Sequence, residues 1–280
     1  GFHKHRSTML GSPPRPRPTA RKDPSMKQLP GIELGKVAEV TFGFWVVKIA
    51  ATTLGETAGD AVTMSMHLGY LIGTAIFATI FVVAVAAQIR TTKFHPFLFW
   101  GVIVATTTVG TTLADLLDRS LGIGYLGGST ILLLLVIGTL ALWQRALGSV
   151  SVSAITTRKA ELFYWATIMF SQTLGTALGD WTADPTAGLG LGYEGGAIVF
   201  AVGLALVGAA YFWTRISRTA LFWVAFILTR PLGATIGDLL DKPHAAGGLE
   251  MSRYTATAAL AAFILVCVVL LPQRAERITR

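Results

Sequence analysis

The chain has 280 residues, of which 52% are hydrophobic and 14% charged; its mean hydropathy is +0.60 and its formal net charge +8. An average soluble domain is about 25% charged, so the composition excludes a disordered chain, a disulfide-rich secreted scaffold and an ordinary cytosolic enzyme, and points to a polytopic membrane protein. The one cysteine, Cys267, excludes an intrachain disulfide and a cysteine-based metal cluster.

Residues 1–35 contain GSPPRPRPTARKDPSMK. This stretch is basic, rich in proline and poor in apolar residues, so it is expected to be a disordered cytoplasmic tail that meets anionic lipid headgroups. It has no apolar run of the kind a signal peptide needs. A membrane helix needs about 20 mostly apolar residues, and eight stretches qualify: 37–60, 66–89, 97–117, 126–143, 162–180, 189–213, 220–240 and 254–271. The expected fold is therefore all-α and polytopic. The domain plan is a tail over 1–35, a first four-helix half over 36–147, a second over 158–272 and a basic cytoplasmic end over 273–280. Tryptophan and tyrosine at the span ends read as interfacial anchors.

Orientation follows from Lys and Arg. Eighteen of the 23 basic residues fall on the side that holds both ends of the chain. The other side has only Arg119, Lys242 and Arg253, while Lys48 and Arg230 lie within spans. Both termini are thus expected in the cytoplasm. The positive charge is a topology signal and implies no nucleic-acid partner.

The odd-numbered spans repeat a motif. Each opens on an aromatic pair, at Phe44-Trp45, Phe99-Trp100, Tyr164-Trp165 and Phe222-Trp223, and fifteen residues after each Trp stands an Asp: Asp60, Asp115, Asp180 and Asp238. The segments ending on these aspartates read TLGETAGD, TVGTTLAD, TLGTALGD and PLGATIGD. A Gly-Tyr pair follows the first three, at Tyr70, Tyr125 and Tyr193. Repeats two and four share Asp-Leu-Leu-Asp, and repeats one and three share a Lys-to-Glu entrance ending at Glu39 and Glu161. The chain is a duplicated half joined near 148–157, each half holding two helical hairpins. Each repeat has an even number of spans, so the four repeats are parallel.

The stretches KVAEVTFGFWVVKIAATTLGETAGD, LFYWATIMFSQTLGTALGD and LTRPLGATIGDLLDKPHAAGGL resemble a bacterial family of multi-span proteins labelled uncharacterised or "membrane-anchored". The resemblance covers about residues 36–272. It implies an eight-span fold of repeats in the bacterial inner membrane and a link to manganese efflux.

On a helix, the residues three, four and seven before each Asp share its face. The resulting stripes hold Thr53, Glu56 and Thr57 before Asp60; Thr108, Thr111 and Thr112 before Asp115; Thr173 and Thr176 before Asp180; and Thr235 before Asp238. Carboxylates and hydroxyls are hard ligands that suit Mg²⁺, Ca²⁺ or Mn²⁺. The candidate metal ligands are Glu56, Asp60, Asp115, Asp180 and Asp238. The threonines, with Asp118, Asp184 and Asp241, mark a candidate path. A competing reading gives those last three acids to turns. Glu56 breaks the symmetry, since the other repeats have Thr or Ala there. Lys48 and Arg230 are candidate charge partners of the motif carboxylates, against static pairing or snorkelling. His67 and His244 lie in outer loops and read as solvated. The Gly/Ala pair five and one before the Asp forms a small-residue face for close helix approach.

No nucleotide-binding loop, nucleophile elbow or zinc-protease motif is present, so no enzyme and no cofactor are expected. The expected function is a secondary exporter of a divalent cation, Mn²⁺ being favoured, with proton exchange on the carboxylates as the drive. The alternatives are a cation channel with an acidic ring and a non-transporting membrane scaffold or regulator.

Overall fold

The structure is a computed structural model that describes residues 34–278. The expected tail up to residue 33, and the last two residues, lie outside the described residues. Eight α-helices are formed: α1 (Phe42–Asp60), α2 (Gly69–Arg90), α3 (Pro96–Asp115), α4 (Tyr125–Leu147), α5 (Arg158–Ala183), α6 (Gly192–Trp213), α7 (Arg218–Asp241) and α8 (Arg253–Leu270). One element was not expected. Leu34–Ala38 (β1) pairs antiparallel with Ala275–Arg277 (β2), so the first span begins at Phe42 rather than at residue 37. The two strands join the ends of the eight-helix body, and the side chain of Lys36 ties them to the second half through an ion pair with Glu161.

Six helices are by themselves long and apolar enough to cross a membrane: α2, α3, α4, α6, α7 and α8. The chain is a multi-pass membrane protein of repeated helical hairpins. The other two helices, α1 and α5, are enclosed by their neighbours. Their polar residues are therefore not in contact with lipid, and hydropathy alone understates them.

The helices form two rings. The inner ring is α1, α3, α5 and α7, each packed on the next, with α7 closing back on α1. The outer helices sit one place round: α2 packs on α3, α4 on α5, α6 on α7 and α8 on α1. Each repeat thus hands its second helix to its neighbour, which closes the circle across the two halves. The spans of α3 and α7 are 72% and 67% buried, against 6% for α2 and 11% for α6.

Glycine sets the distance between the inner helices. A methyl group on Gly55 would press into Thr107, on Gly110 into Gln172, on Gly175 into Arg230, and on Gly233 into Thr52. These four glycines hold the same place in the four repeats, and so do the residues that face them. Close approach lets threonines donate across the seams, from Thr107 Oγ1 to the Ala51 carbonyl and from Thr52 Oγ1 to the Thr229 carbonyl, both at 3.1 Å. Such packing and hydrogen bonding hold helices together where lipid removes the hydrophobic drive.

The aromatic pairs follow the same cycle, and this corrects the interfacial reading. Phe44 packs on Trp100, Phe99 on Trp165, Tyr164 on Trp223 and Phe222 on Trp45, with ring centroids 5.4, 6.1, 6.2 and 5.9 Å apart. Trp100, Trp165, Trp223 and Trp143 are all buried. They form an aromatic plug at one end of the inner ring. Each pair is packed edge-on within itself and meets a ring of the next helix in a tilted or edge-on contact, so the pairs close seams rather than facing lipid. Trp213, at the end of α6, remains exposed.

Candidate functional site

The inner helices present one residue each to the centre every four positions, which builds layers about 6 Å apart. Nearest the aromatic plug is the layer of Lys48, Ile103, Ile168 and Phe226. Next come Thr52, Thr107, Gln172 and Arg230, then Glu56, Thr111, Thr176 and Ala234, and last the motif aspartates Asp60, Asp115, Asp180 and Asp238. All sixteen side chains are buried.

Arg230 ties the two middle layers. Its Nη2 donates to Glu56 Oε2 at 2.9 Å, to Thr111 Oγ1 at 2.5 Å and to Thr176 Oγ1 at 2.6 Å. Its Nη1 reaches the Thr52 carbonyl at 3.4 Å. These partners lie on α1, α3 and α5. The fourth residue of their layer is Ala234, on the arginine's own helix, where a longer side chain would take the space of the guanidinium. The departure of each repeat from the others is thus complementary: Glu in the first, Thr in the second and third, Ala with Arg in the fourth.

The aspartate layer is held by the three basic residues of the far side. Arg119 Nε pairs with Asp115 Oδ1 at 2.9 Å and its Nη2 with Asp180 Oδ2 at 3.2 Å. The Lys242 ammonium pairs with Asp60 and, at 3.0 Å, with Asp238 Oδ1. Arg253 Nε lies 2.9 Å from Asp241 Oδ2 and 3.8 Å from Asp60 Oδ2. Arg119 and Lys242 each stand four residues after the motif Asp, in repeats two and four, and each crosses to the other half of the chain. Sequence reasoning set them aside as ordinary far-side charges. The signal was present in the shared Asp-Leu-Leu-Asp followed by Arg or Lys.

The structure separates the remaining candidates. Thr111 and Thr176 reach the centre. Thr53, Thr108 and Thr173 donate to carbonyls of their own helices at 2.9–3.0 Å, as do Thr57, Thr112 and Thr235 at 2.9–3.3 Å. A threonine that donates back one turn spends its hydroxyl proton on its own helix; Thr111 and Thr176 do so as well, to the Thr107 and Gln172 carbonyls, and differ from these six in also meeting Arg230. The second acids leave the axis. Asp118 lies against Gly128 of α4, Asp184 accepts from Thr186 and Ala187 in its own loop, and Asp241 pairs with Arg253. Lys48 departs from expectation as well. Its ammonium faces Thr229 Oγ1 at 3.4 Å and the Phe226 ring at 4.2 Å, and pairs with no carboxylate among the described residues. It lies two layers from Glu56, with the layer of Arg230 between. His67 and His244 lie in the outer loops.

Two local devices place the layer. The helix widens to a π turn at Ala61–Ser65 and at Leu116–Ser120, directly after Asp60 and Asp115, a feature frequent where helices carry function. The Gly of each Gly-Tyr pair has positive φ, +73° at Gly69, +75° at Gly124 and +67° at Gly192. A left-handed residue there turns the chain into α2, α4 and α6 at little steric cost. It also brings Tyr70 to Arg119, whose Nη1 donates to the Tyr70 hydroxyl at 3.5 Å.

One group of carboxylates lies close enough together to hold a metal ion. Single oxygens of Glu56, Asp60 and Asp238 lie within 4.8 Å of one another, and all three residues are buried. Asp60 Oδ1 is buried with no hydrogen-bond partner among the described residues.

Four segments of the chain, 43–94, 98–148, 163–217 and 221–276, match the family described as "Repeat of Unknown Function (DUF347)". The chain belongs to this family. The matched segments begin at or beside the aromatic pairs and end shortly after the second helix of each hairpin, so the family's unit is the hairpin that repeats around the ring. No curated protein and no solved structure matches the chain.

Proposed function

We propose that the protein is a secondary transporter of a divalent metal cation, Mn²⁺ being the favoured ion, bound by Glu56, Asp60 and Asp238. The observation that carries this reading is the convergence of three buried carboxylates within 4.8 Å. A lone carboxylate in a membrane is costly and is kept where it faces a polar interior or a partner. Three together, on the two helices that close the ring, concentrate the charge a divalent ion needs. Their hard oxygens suit Mn²⁺, Mg²⁺ or Ca²⁺. The distribution of basic residues supports an orientation with the aspartate end outward and both termini in the cytoplasm of a bacterial inner membrane.

The axis favours a carrier over a channel. The aromatic plug, the layer of Ile103, Ile168 and Phe226, and the Arg230–Glu56 pair close it in turn. A cation would pass only if the two halves changed their packing. Protons carried on the same carboxylates would supply the return charge. The test is flux of Mn²⁺ in proteoliposomes, followed with an enclosed metal-sensitive dye. Glu56→Gln and Asp60→Asn should each abolish saturable flux while the variants keep wild-type helicity and elute as single species. Undiminished flux in both variants would overturn the proposal.

A further inference from the structure

The duplicated halves give the proposed site a counterpart. Thr176 stands where Glu56 stands, Asp180 where Asp60 does, Asp115 where Asp238 does and Arg119 where Lys242 does. The two places are not chemically alike. In the first, three carboxylates converge and Lys242 spans two of them, Asp60 and Asp238. In the second, one carboxylate is replaced by a hydroxyl. There the guanidinium of Arg119 holds Asp115 through Nε, Asp180 through Nη2 and the Tyr70 hydroxyl through Nη1.

Resting on the reading that Glu56, Asp60 and Asp238 bind a divalent cation, we propose that the ammonium of Lys242 is a built-in occupant of that site, displaced when the cation enters. The counterpart between Asp115 and Asp180 is permanently filled by Arg119, so each chain takes one cation and not two. A lysine ammonium is a point charge on a flexible stem, whereas a guanidinium is a planar fork whose several donors act together. Displacing Lys242 exchanges one positive charge for two among the same oxygens. Displacing Arg119 breaks three directed contacts and leaves only two carboxylates for the ion. Exposure does not separate the two cations, since the side chain of Lys242 is 11% exposed and that of Arg119 33%; the number of directed contacts does. The groups facing its ammonium are Asp60, Asp238 and, through Asp60 and Asp241, the guanidinium of Arg253. Departure of the ammonium leaves Asp60 with a distant Arg253 as its only remaining cation among the described residues, and with Oδ1 free for a ligand.

The experiment is Mn²⁺ binding to the full chain in lipid nanodiscs, with free ion counted by electron paramagnetic resonance. The wild type should bind one Mn²⁺ per chain. Lys242→Met should bind about tenfold more tightly or better, the equivalent of about 1.4 kcal/mol. Lys242→Arg should bind at least as many times more weakly. Arg119→Lys combined with Thr176→Glu rebuilds the counterpart and should raise the count to two. Binding by the wild type that is unchanged or weakened in Lys242→Met overturns the built-in occupant while leaving the metal site standing. Absence of binding in both overturns the metal site itself. A count of two in the wild type overturns the assignment of Arg119. Each variant is accepted only with wild-type helicity and a single elution peak, and Lys242→Met and the wild type decide the matter without the double variant.

Discussion

Arg230 and Glu56 form a fully buried ion pair, Nη2 to Oε2 at 2.9 Å, and they come from opposite halves of the chain. The pair closes the ring at the α1–α7 seam, where the last repeat meets the first. Removing one partner of a buried pair leaves the other charge uncompensated, at a cost of about 3–5 kcal/mol. Arg230→Met should therefore lower stability strongly. The double variant Arg230→Met with Glu56→Gln should recover part of the loss, because the stranded carboxylate is gone. Thermal unfolding in detergent of the two single variants and the double checks this. Strictly additive losses would show that the two side chains do not act as a pair.

The seam glycines should tolerate no side chain. Gly233→Ala forces a methyl group into Thr52, and Gly55→Ala forces one into Thr107. Overpacking of this kind costs about 1–3 kcal/mol. At Gly138 of α4 a methyl group meets nothing within 4 Å, so Gly138→Ala should be neutral or slightly stabilising through helix propensity. Melting temperatures of the three variants in one detergent give the comparison. Equal effects at all three sites would mean that the glycines do not set the helix spacing.

The tryptophans should divide by their contact with lipid. Trp100, Trp143, Trp165 and Trp223 are enclosed in the aromatic plug, whereas Trp213 is 83% exposed at the end of α6. Lipids brominated along their chains should quench the emission of a variant that keeps only Trp213. They should leave a variant that keeps only Trp143 nearly unaffected. Strong quenching of Trp143 would restore the interfacial reading of these residues.

The loop after α5 should weaken in acid. The Ala187 N–H, with the Thr186 hydroxyl and N–H and the Tyr125 hydroxyl, holds the Asp184 carboxyl below the ordinary carboxylate range. A carboxyl lowered on folding contributes stability above its unfolded value, about 3.9 for Asp, and loses it as pH falls through the folded value. Asp184→Ala should therefore be less stable than the wild type near pH 6, with the difference closing below about pH 4. Melting curves of the two proteins across that range test it. A constant gap would assign the loss to something other than the charged carboxyl.

Much of the architecture was legible because it repeats. Four gap-free copies of one motif specify four equivalent helices, and continuous apolar runs specify the spans. The start of α1 was misjudged because 34–38 has the same apolar character as a helix entrance, and its strand partner lies some 240 residues further on. Threonine at two of the three stripe positions looked like a ligand and bonds its own helix. Sequence spacing gives the face of a helix but not the rotamer that chooses between neighbour and backbone.

What the sequence by itself determined is the set of positions: eight helices, four aspartates at one register, a small-residue face, and the charged departures from the repeat at Lys48, Glu56 and Arg230. What only the tertiary structure decided is which of them meet. Ring closure packs α7 on α1, and this alone brings Arg230 to Glu56 and Lys242 to Asp60, residues more than 170 positions apart. A periodic sequence fixes the face each helix presents. The neighbour that receives the face depends on how the repeats close on one another, and that closure is a property of packing in three dimensions.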